Sequence, residues 1–193
     1  MNSIYVFSGP CGCGKSTLAE AYGLHLAKES ARNQVYVIHG DQFHQGFLTA
    51  ERQDKPDCAE FLYWPDILRF NWSCILSVAQ KVLDRGLDVI IDYVVEEELP
   101  LLQELAHKNG ARLFYVVLTA PEQELRRRLT WRGNPELIAR ALFLKDKLDH
   151  APEHQKYQYD ITGKTVKEEV EQLDMARHEV RREAFGGGSA SLL

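Results

Sequence analysis

A phosphate-binding loop is indicated by the run G-P-C-G-C-G-K-S-T at residues 9–17. From Gly9 to Ser16 the run fills every fixed position of the pattern G-x-x-x-x-G-K-[ST]. Glycines in this pattern let the backbone curl around phosphate oxygens with its N–H groups pointing inward, and the following helix presents its positive end. The predicted phosphate cradle consists of Gly9, Gly12, Cys13, Gly14, Lys15, Ser16 and Thr17.

Two members of this run also have chemical roles. Lys15 reaches the β- and γ-phosphates, and the Ser16 hydroxyl ligates Mg²⁺. A purely steric tight turn is the alternative, since turns also use glycine. The apolar run Ile4–Phe7 before the motif and the helix-favouring residues Leu18–Ala21 after it favour phosphate binding, because they supply the strand–loop–helix context.

Two carboxylates follow predicted strands, at the edge of an open α/β sheet where ligands bind. Asp41 comes after the second strand, and Asp92 closes the apolar run Val89–Ile91 as the acid of a Walker B strand does. One is needed to hold the Mg²⁺ hydration shell and the other to orient or deprotonate an attacking hydroxyl. We assign Asp92 to the metal and Asp41 to the acceptor, although the roles could be exchanged, and either could be a helix cap or turn residue.

Candidate acceptor contacts lie nearby in sequence. His44 follows Asp41 by three residues and is a candidate substrate ligand, whereas His39 is interpreted as structural. Arg69 stands among apolar helix neighbours, a setting in which arginine often needs an anionic partner. The surrounding aromatic residues are more typical of core than of a pocket; they are Phe61, Tyr63, Trp64 and Trp72.

Four arginines crowd the run L-R-R-R-L-T-W-R-G at residues 125–133. Arg128 and Arg132 are four positions apart and share one helix face, from which they could neutralise the γ-phosphate charge in a transition state. A solvated basic face is the alternative, and it is the favoured interpretation for Arg126 and Arg127. Arg140, on the next helix, is a weaker candidate for such a lid.

Strands and helices alternate along the chain, which predicts a parallel sheet covered by helices on both faces. Strands are predicted at 4–7, 35–38, 89–92, 113–118 and 157–161, and helices at 18–28, 67–83, 96–108, 122–132, up to 148, and 166–182. We predict one domain over residues 1–183, with an acceptor-binding region at 42–84, a lid at 122–142 and a linker-like tail at 184–193. The mixed segment 42–66 is longer than most connections, which is typical of functional loops.

Composition fits one globular domain, with 45% hydrophobic and 26% charged residues among 193. The net charge of −5 argues against non-specific nucleic-acid binding, and no apolar run or N-terminal signal predicts membrane attachment. The cysteines are Cys11, Cys13, Cys58 and Cys74. Their spacing does not match a zinc site. The two loop cysteines are interpreted as small fillers whose thiols the helix N-terminus could make reactive, and we expect a reducing, cytoplasmic compartment.

From about residue 3 to 180 the chain resembles the small P-loop kinases, which include shikimate, gluconate and adenylate kinases and chloramphenicol phosphotransferase. The resemblance rests on the phosphate loop, on H-G-D-Q-F-H at 39–44, on V-I-I-D at 89–92 and on the match of 125–133 to the lid pattern L-x-x-R-L-x-x-R-G. It implies a three-layer P-loop NTPase fold with a five-stranded sheet ordered 2-3-1-4-5, a closing lid and ATP as donor. Y-D-I-T-G-K-T at 159–165 resembles the segment that contacts adenine in these kinases, which implies a nucleotide contact at Gly163.

These features together predict an ATP- and Mg²⁺-dependent transfer of phosphate to a hydroxyl of a small molecule. The catalytic residues would be Lys15, Asp41, Arg128 and Arg132. The gluconate kinase signature expected after residue 44 is missing, so a sugar acid, a nucleoside and an antibiotic-like acceptor all stay open. Two other functions compete, namely a nucleotide-dependent switch and a polynucleotide 5′-hydroxyl kinase. We expect a monomer or homodimer.

Overall fold

A five-stranded parallel sheet forms the centre of the computed structural model, which describes residues 2–30, 34–47 and 63–185. The strands are β1 (Ser3–Ser8), β2 (Val35–His39), β3 (Asp88–Asp92), β4 (Arg112–Thr119) and β5 (Gln158–Asp160). Their order in the sheet is β2-β3-β1-β4-β5, and every pair is parallel. The predicted fold class and strand order are confirmed.

Helices connect these strands. They are α1 (Lys15–Glu29), α2 (Asp41–Gln45), α3 (Trp64–Leu83), α4 (Leu99–Lys108), α5 (Glu122–Trp131), α6 (Ile138–His150), α7 (Pro152–Gln155) and α8 (Val166–Phe185), with a 3₁₀ turn at Pro135–Leu137 between α5 and α6. No helix of the described residues combines the length and apolarity that crossing a bilayer requires.

Two apolar layers cover the sheet. On one face Ile4 and Val6 pack with side chains of α3, α4 and α6, and on the other Tyr5 and Phe7 pack with side chains of α1, α5 and α8. Because successive side chains of a strand point to opposite faces, both layers require apolar residues along the middle of β1, where the run Ile4–Phe7 is fully buried. The sheet therefore holds its strand ends rigidly at one edge.

Element bounds differ from the predicted ones at a few ends. The helix predicted from residue 96 begins at Leu99, so that Pro100 falls in its first turn, and α3 begins three residues early with Pro65 in its first turn. Asp41 lies in the short helix α2, which the sequence pattern does not predict. The last helix continues to Phe185, past the predicted end at residue 182.

Candidate active site

The phosphate loop joins the end of β1 to the start of α1. Gly12 and Gly14 have φ angles of 81° and 98°, in the left-handed region that side chains disfavour. A Cβ on Gly9 would lie 2.4 Å from the Leu118 carbonyl oxygen, and a Cβ on Gly12 would lie 2.9 Å from Leu129 Cγ. The loop is therefore wedged between the end of β4 and the helix α5, and only glycine fits at these contacts.

Lys15 is the first residue of α1, and its ammonium points back over the loop. Its Nζ donates hydrogen bonds to the Gly9 carbonyl at 2.9 Å and to the Pro10 carbonyl at 3.1 Å. Burial works to lower the pKa of Lys15, but Cys13, Cys11 and the carboxylates Asp92 and Asp41 outweigh it and raise the pKa. The ammonium therefore stays charged throughout the physiological range.

The loop cysteine Cys13 is fully buried, and burial raises the pKa of its thiol. This is opposite to the lowering that the nearby helix N-terminus suggests from sequence, because here desolvation is the larger effect. Cys13 is a packing residue rather than a reactive one. Ser16 and Thr17, in contrast, have exposed side chains in the first turn of α1.

Asp92 ends β3 next to the phosphate loop. It lies opposite Phe7 of β1 on one side and opposite His39 of β2 on the other. Its carboxylate is 5% exposed, and Oδ2 lies 2.8 Å from His39 Nδ1. His39, interpreted from sequence as structural, thus fixes the orientation of a candidate metal-shell carboxylate, and the parallel register that joins the two could not be seen in the sequence alone.

Asp41 lies two residues beyond the end of β2, as the first residue of α2, and is exposed. It is close enough to act electrostatically on both Lys15 and Tyr93. Gly40 lets this turn approach the Tyr93 ring, since a Cβ there would lie 2.4 Å from the ring carbons. The structure therefore brings both predicted strand-tip acids near Lys15, one buried and one open to solvent.

A buried polar group extends the site from Asp41 toward α3. The Asn71 amide nitrogen lies 2.9 Å from His44 Nδ1 and donates a hydrogen bond of 2.8 Å to the Tyr93 hydroxyl. The Trp64 and His44 rings meet in a T-shaped contact, with ring centres 6.0 Å apart. His44 is therefore 8% exposed and firmly held. Asn71 could not be predicted from the sequence, because an asparagine in a helical pattern belongs to no motif.

The predicted substrate residue Arg69 does not belong to this group. Its side chain is 76% exposed on α3 and pairs with Asp66, three residues earlier in the same helix. The anionic partner expected from its apolar neighbours is thus local. Of the aromatic residues, Trp72 packs in the core against Tyr93, Tyr63 is exposed, and Phe61 lies outside the described residues.

Three of the four arginines in the lid run are consecutive, and one of them differs from the other two in its contacts. Arg126 pairs with Glu122 and Arg127 with Glu124, both on the exposed side of α5. Arg128 bonds Glu124 through Nε at 2.7 Å while its Nη1 lies 3.4 Å from the Cys13 carbonyl oxygen. Of the three consecutive arginines, it is Arg128 whose guanidinium reaches the phosphate loop.

Arg132 and Glu124 are two further charged residues of the lid region. Arg132 follows the last turn of α5 and is exposed. Hydrogen bonds from Arg127 and Arg128 lower the pKa of Glu124 to about 2, so this carboxylate stays ionised and holds Arg128 in place. The bond is a tether that a stronger anion, such as a phosphate, could compete for.

A second tether, not expected from sequence, joins the lid side to the acceptor side. The Glu96 carboxylate is 8% exposed and pairs with Arg140, while Lys147 Nζ donates to it at 3.1 Å. The Arg140 guanidinium also lies 5.4 Å from the centre of the Trp64 ring. Arg140 therefore connects α6 to the start of α3, next to the buried group of His44.

Gly163 lies in the turn after β5, with φ of 72° and open space around it. Because Asp160 of β5 lies opposite Thr119 of β4, this turn belongs to the same edge of the sheet as the phosphate loop. Lys164 covers the Tyr159 ring at 3.9 Å. The turn thus lies at the loop side of the sheet, and the adenine contact at Gly163 stays a prediction.

A phosphate loop on a parallel sheet ordered 2-3-1-4-5 defines the fold of a P-loop kinase. A family model described as "AAA domain" matches residues 6–141, more than half of the chain. The chain belongs to this AAA domain family of P-loop kinases.

Several characterised proteins are similar to the chain. The guanylate kinase of Campylobacter jejuni (strain RM1221) is 25% identical over 177 residues, covering 88% of this chain and 85% of that protein. The APS kinase of Mycobacterium tuberculosis, solved with AMPPNP and APS, has a TM-score of 0.63 at 19% identity, covering 92% and 98% of the two chains. A gluconokinase from Sinorhizobium meliloti 1021 has a TM-score of 0.61 at 19% identity, covering 97% and 98%. At these identities the solved structures support the fold alone.

Proposed function

We propose that this protein transfers the γ-phosphate of ATP to a hydroxyl of a small molecule. The observation that carries the proposal is the pair of unlike carboxylates beside Lys15, with Asp92 buried against His39 and Asp41 exposed at the start of α2. A buried, oriented acid suits a metal shell, and an exposed acid on the acceptor side suits a proton acceptor.

In the proposed reaction the acceptor oxygen bonds to the γ-phosphorus while the bond from that phosphorus to the β,γ-bridging oxygen breaks. ADP leaves, and the hydroxyl proton passes to the Asp41 carboxylate. Lys15 neutralises the β- and γ-phosphates, and Arg128 and Arg132 stabilise the charge that spreads over the transferring group. Gly163 would contact the adenine.

Magnesium fits the residues present, since the exposed Ser16 hydroxyl and the Asp92 carboxylate supply oxygen ligands. They lie beside the phosphate loop, whose glycines leave space that a Cβ would fill. When bound, Mg²⁺ would supply positive charge that offsets the negative charge of the transferring phosphates. Ser16 and Asp92 would hold its ligand shell, and His39 would keep Asp92 turned toward it.

Guanylate is a second candidate acceptor, because the curated relatives are named guanylate kinases. A phosphate acceptor needs cations on its side of the site. In the described part of that region Arg69 pairs with Asp66 and Arg140 with Glu96, while Asp41 adds a negative charge. These charges favour a hydroxyl acceptor over guanylate.

The proposal is tested by ADP release from the purified protein with Mg-ATP across sugars, sugar acids, nucleosides, hydroxyl-bearing antibiotics and GMP. We expect one hydroxyl-bearing class to stimulate ADP release above the acceptor-free rate. The mass of the product should exceed that of the acceptor by one phosphoryl group. Stimulation by GMP alone would replace the hydroxyl acceptor by guanylate. Tight ATP binding without stimulation by any compound would favour a nucleotide-dependent switch.

A further inference from the structure

A second cluster of ligand-bearing side chains lies where α1 packs against α8. Each helix contributes a pair four residues apart, His25 and Glu29 from α1 and Asp174 and His178 from α8. Residues at this spacing stand on one helix face, and the Arg177 guanidinium lies among the four side chains, with Nη2 3.3 Å from His178 Nε2. The proposed transfer reaction uses none of these four side chains.

The separations of the ligand atoms have the size that a tetrahedral metal site requires. His25 Nε2 lies 3.6 Å from Glu29 Oε1 and 3.4 Å from Asp174 Oδ1, and all three atoms lie within 4.8 Å of one another. Zinc–nitrogen and zinc–oxygen bonds of about 2.0–2.1 Å in a tetrahedron place neighbouring ligand atoms about 3.3 Å apart. A cation can therefore fit between these side chains with little movement.

His25 supplies an independent observation. Its Nε2 atom is enclosed and has no hydrogen-bond partner among the described residues, although two carboxylates face it. The two carboxylate oxygens lie 3.6 and 3.4 Å from the nitrogen, too far for well-made hydrogen bonds. A cation that bonds to the nitrogen and both oxygens would satisfy all three atoms at once.

Arg177 offers the competing explanation for this cluster. Its guanidinium is 4% exposed and pairs with Glu29 through Oε2 and with Asp174 through Oδ1. A single guanidinium leaves one of the two negative charges unbalanced, and it leaves Glu29 Oε1 facing His25. Arg177 therefore competes with a cation for these two carboxylates, and a cation would have to bind beside its guanidinium.

We propose that His25, Glu29 and Asp174 bind a borderline divalent cation such as Zn²⁺ and that the cation clamps α1 to α8. His178 lies outside the three-atom group, because its Nε2 faces Asp174 Oδ2 at 3.4 Å and Arg177 Nη2 at 3.3 Å. Mixed imidazole and carboxylate ligands favour Zn²⁺, Co²⁺ or Ni²⁺ over Mg²⁺. His25 stands ten residues along α1 from Lys15, about 15 Å at the rise of an α-helix, so this site is separate from the phosphate loop.

The test uses the full chain, freed of metal with a chelator and studied without nucleotide. Titration with Zn²⁺ should show one tight equivalent and raise the melting temperature, because the cation binds the folded state. Co²⁺ should give the intense visible absorption of a tetrahedral complex. His25→Gln and Asp174→Asn should each weaken Zn²⁺ binding at least about tenfold. His150→Gln is the matched control, since His150 pairs with Asp146 at the same spacing on one helix only.

Three outcomes would overturn the proposal. Wild-type Zn²⁺ affinity in both His25→Gln and Asp174→Asn would place the cation elsewhere, for example at the loop cysteines. Absence of a one-equivalent transition in the wild type would leave Arg177 as the sole partner of the carboxylates. If His25→Gln or Asp174→Asn is too unstable to titrate, Arg177→Gln provides the test. Without the competing guanidinium, we expect Zn²⁺ to bind the Arg177→Gln variant more tightly than the wild type. Weaker binding would contradict the proposal.

Discussion

The phosphate-binding end and the acceptor end of the candidate active site are built in different ways. The phosphate end is a loop of nine consecutive residues, 9–17, whose glycines lie against Leu118 and Leu129. The acceptor end depends on side chains that lie far apart in sequence, as in the contacts of Asn71 with His44 and Tyr93, which are 27 and 22 residues away. The phosphate end therefore depends mainly on the shape of the backbone, and the acceptor end depends on the identities of its side chains.

This difference implies different consequences of substitution. A change at the phosphate end should reduce turnover with every acceptor, because all acceptors use the same donor phosphate. A change at the acceptor end should depend on the acceptor and should leave nucleotide binding nearly intact.

Lys15→Ala should reduce phosphoryl transfer by about 10³-fold or more, since its partly buried ammonium beside the loop neutralises the transferring charge. The measurement is ADP release with the best acceptor, and circular dichroism checks that the fold is kept. Lys28→Ala, an exposed lysine at the end of α1, is the control and should retain full activity. Activity of Lys15→Ala within tenfold of wild type would show that this loop does not bind the transferred phosphate.

Asp41→Asn should lower transfer by about 10²–10⁴-fold, the contribution of a general base, while Mg-ATP affinity stays near normal. Calorimetric titration with Mg-ATP and acceptor-dependent turnover separate the two quantities. Asp66→Asn, which removes an exposed acid on α3, is the control. Near-normal transfer by Asp41→Asn would contradict the assignment, and loss of ATP binding instead would move Asp41 to the phosphate end.

Arg128→Gln should lower kcat by about 10²–10³-fold with a smaller change in the KM for ATP, because its guanidinium reaches the loop carbonyl of Cys13. The steady-state rates of Arg128→Gln are to be compared with those of Arg127→Gln. Arg127 shares the same partner, Glu124, but lies on the exposed side of the helix. Equal losses in the two variants would indicate a general charge effect of α5 rather than a specific contact.

The fold and the phosphate end could be predicted because local sequence determines them. A glycine pattern between an apolar strand and a helix is a local feature, and the alternation of strands and helices leaves few topologies. The partners of side chains that lie far apart in sequence could not be predicted. Whether Asp92 meets His39 depends on the register of two parallel strands, and whether Arg69 meets a ligand depends on which face of α3 is exposed. Sequence spacing constrains neither strongly.

Asn71→Ala should reduce the free energy of unfolding by about 1–3 kcal/mol, because the buried Tyr93 hydroxyl loses its amide donor. It should also raise the KM for the acceptor while the KM for ATP stays within about twofold of wild type. Chemical denaturation and steady-state kinetics measure the two effects. Ser73→Ala, on the exposed face of α3, is the control. A rise confined to the KM for ATP would contradict the division between the two ends.

The smallest expected effect concerns Glu124, which tethers Arg128 beside the phosphate loop. Its carboxyl pKa is about 2 in the folded protein against an ordinary value of 4.5, so its stabilising contribution is complete above pH 4.5 and is lost as the pH falls through 2. Because the pair is near the surface, Glu124→Gln should cost about 1 kcal/mol or less at pH 7. The difference from wild type in denaturant unfolding should narrow steadily as the pH is lowered from 4.5. Glu122→Gln, which releases only the exposed Arg126, is the control. A difference that does not change with pH would mean that the ionised carboxylate does not hold Arg128, and the lid arginine would then be positioned by packing of α5 against the loop.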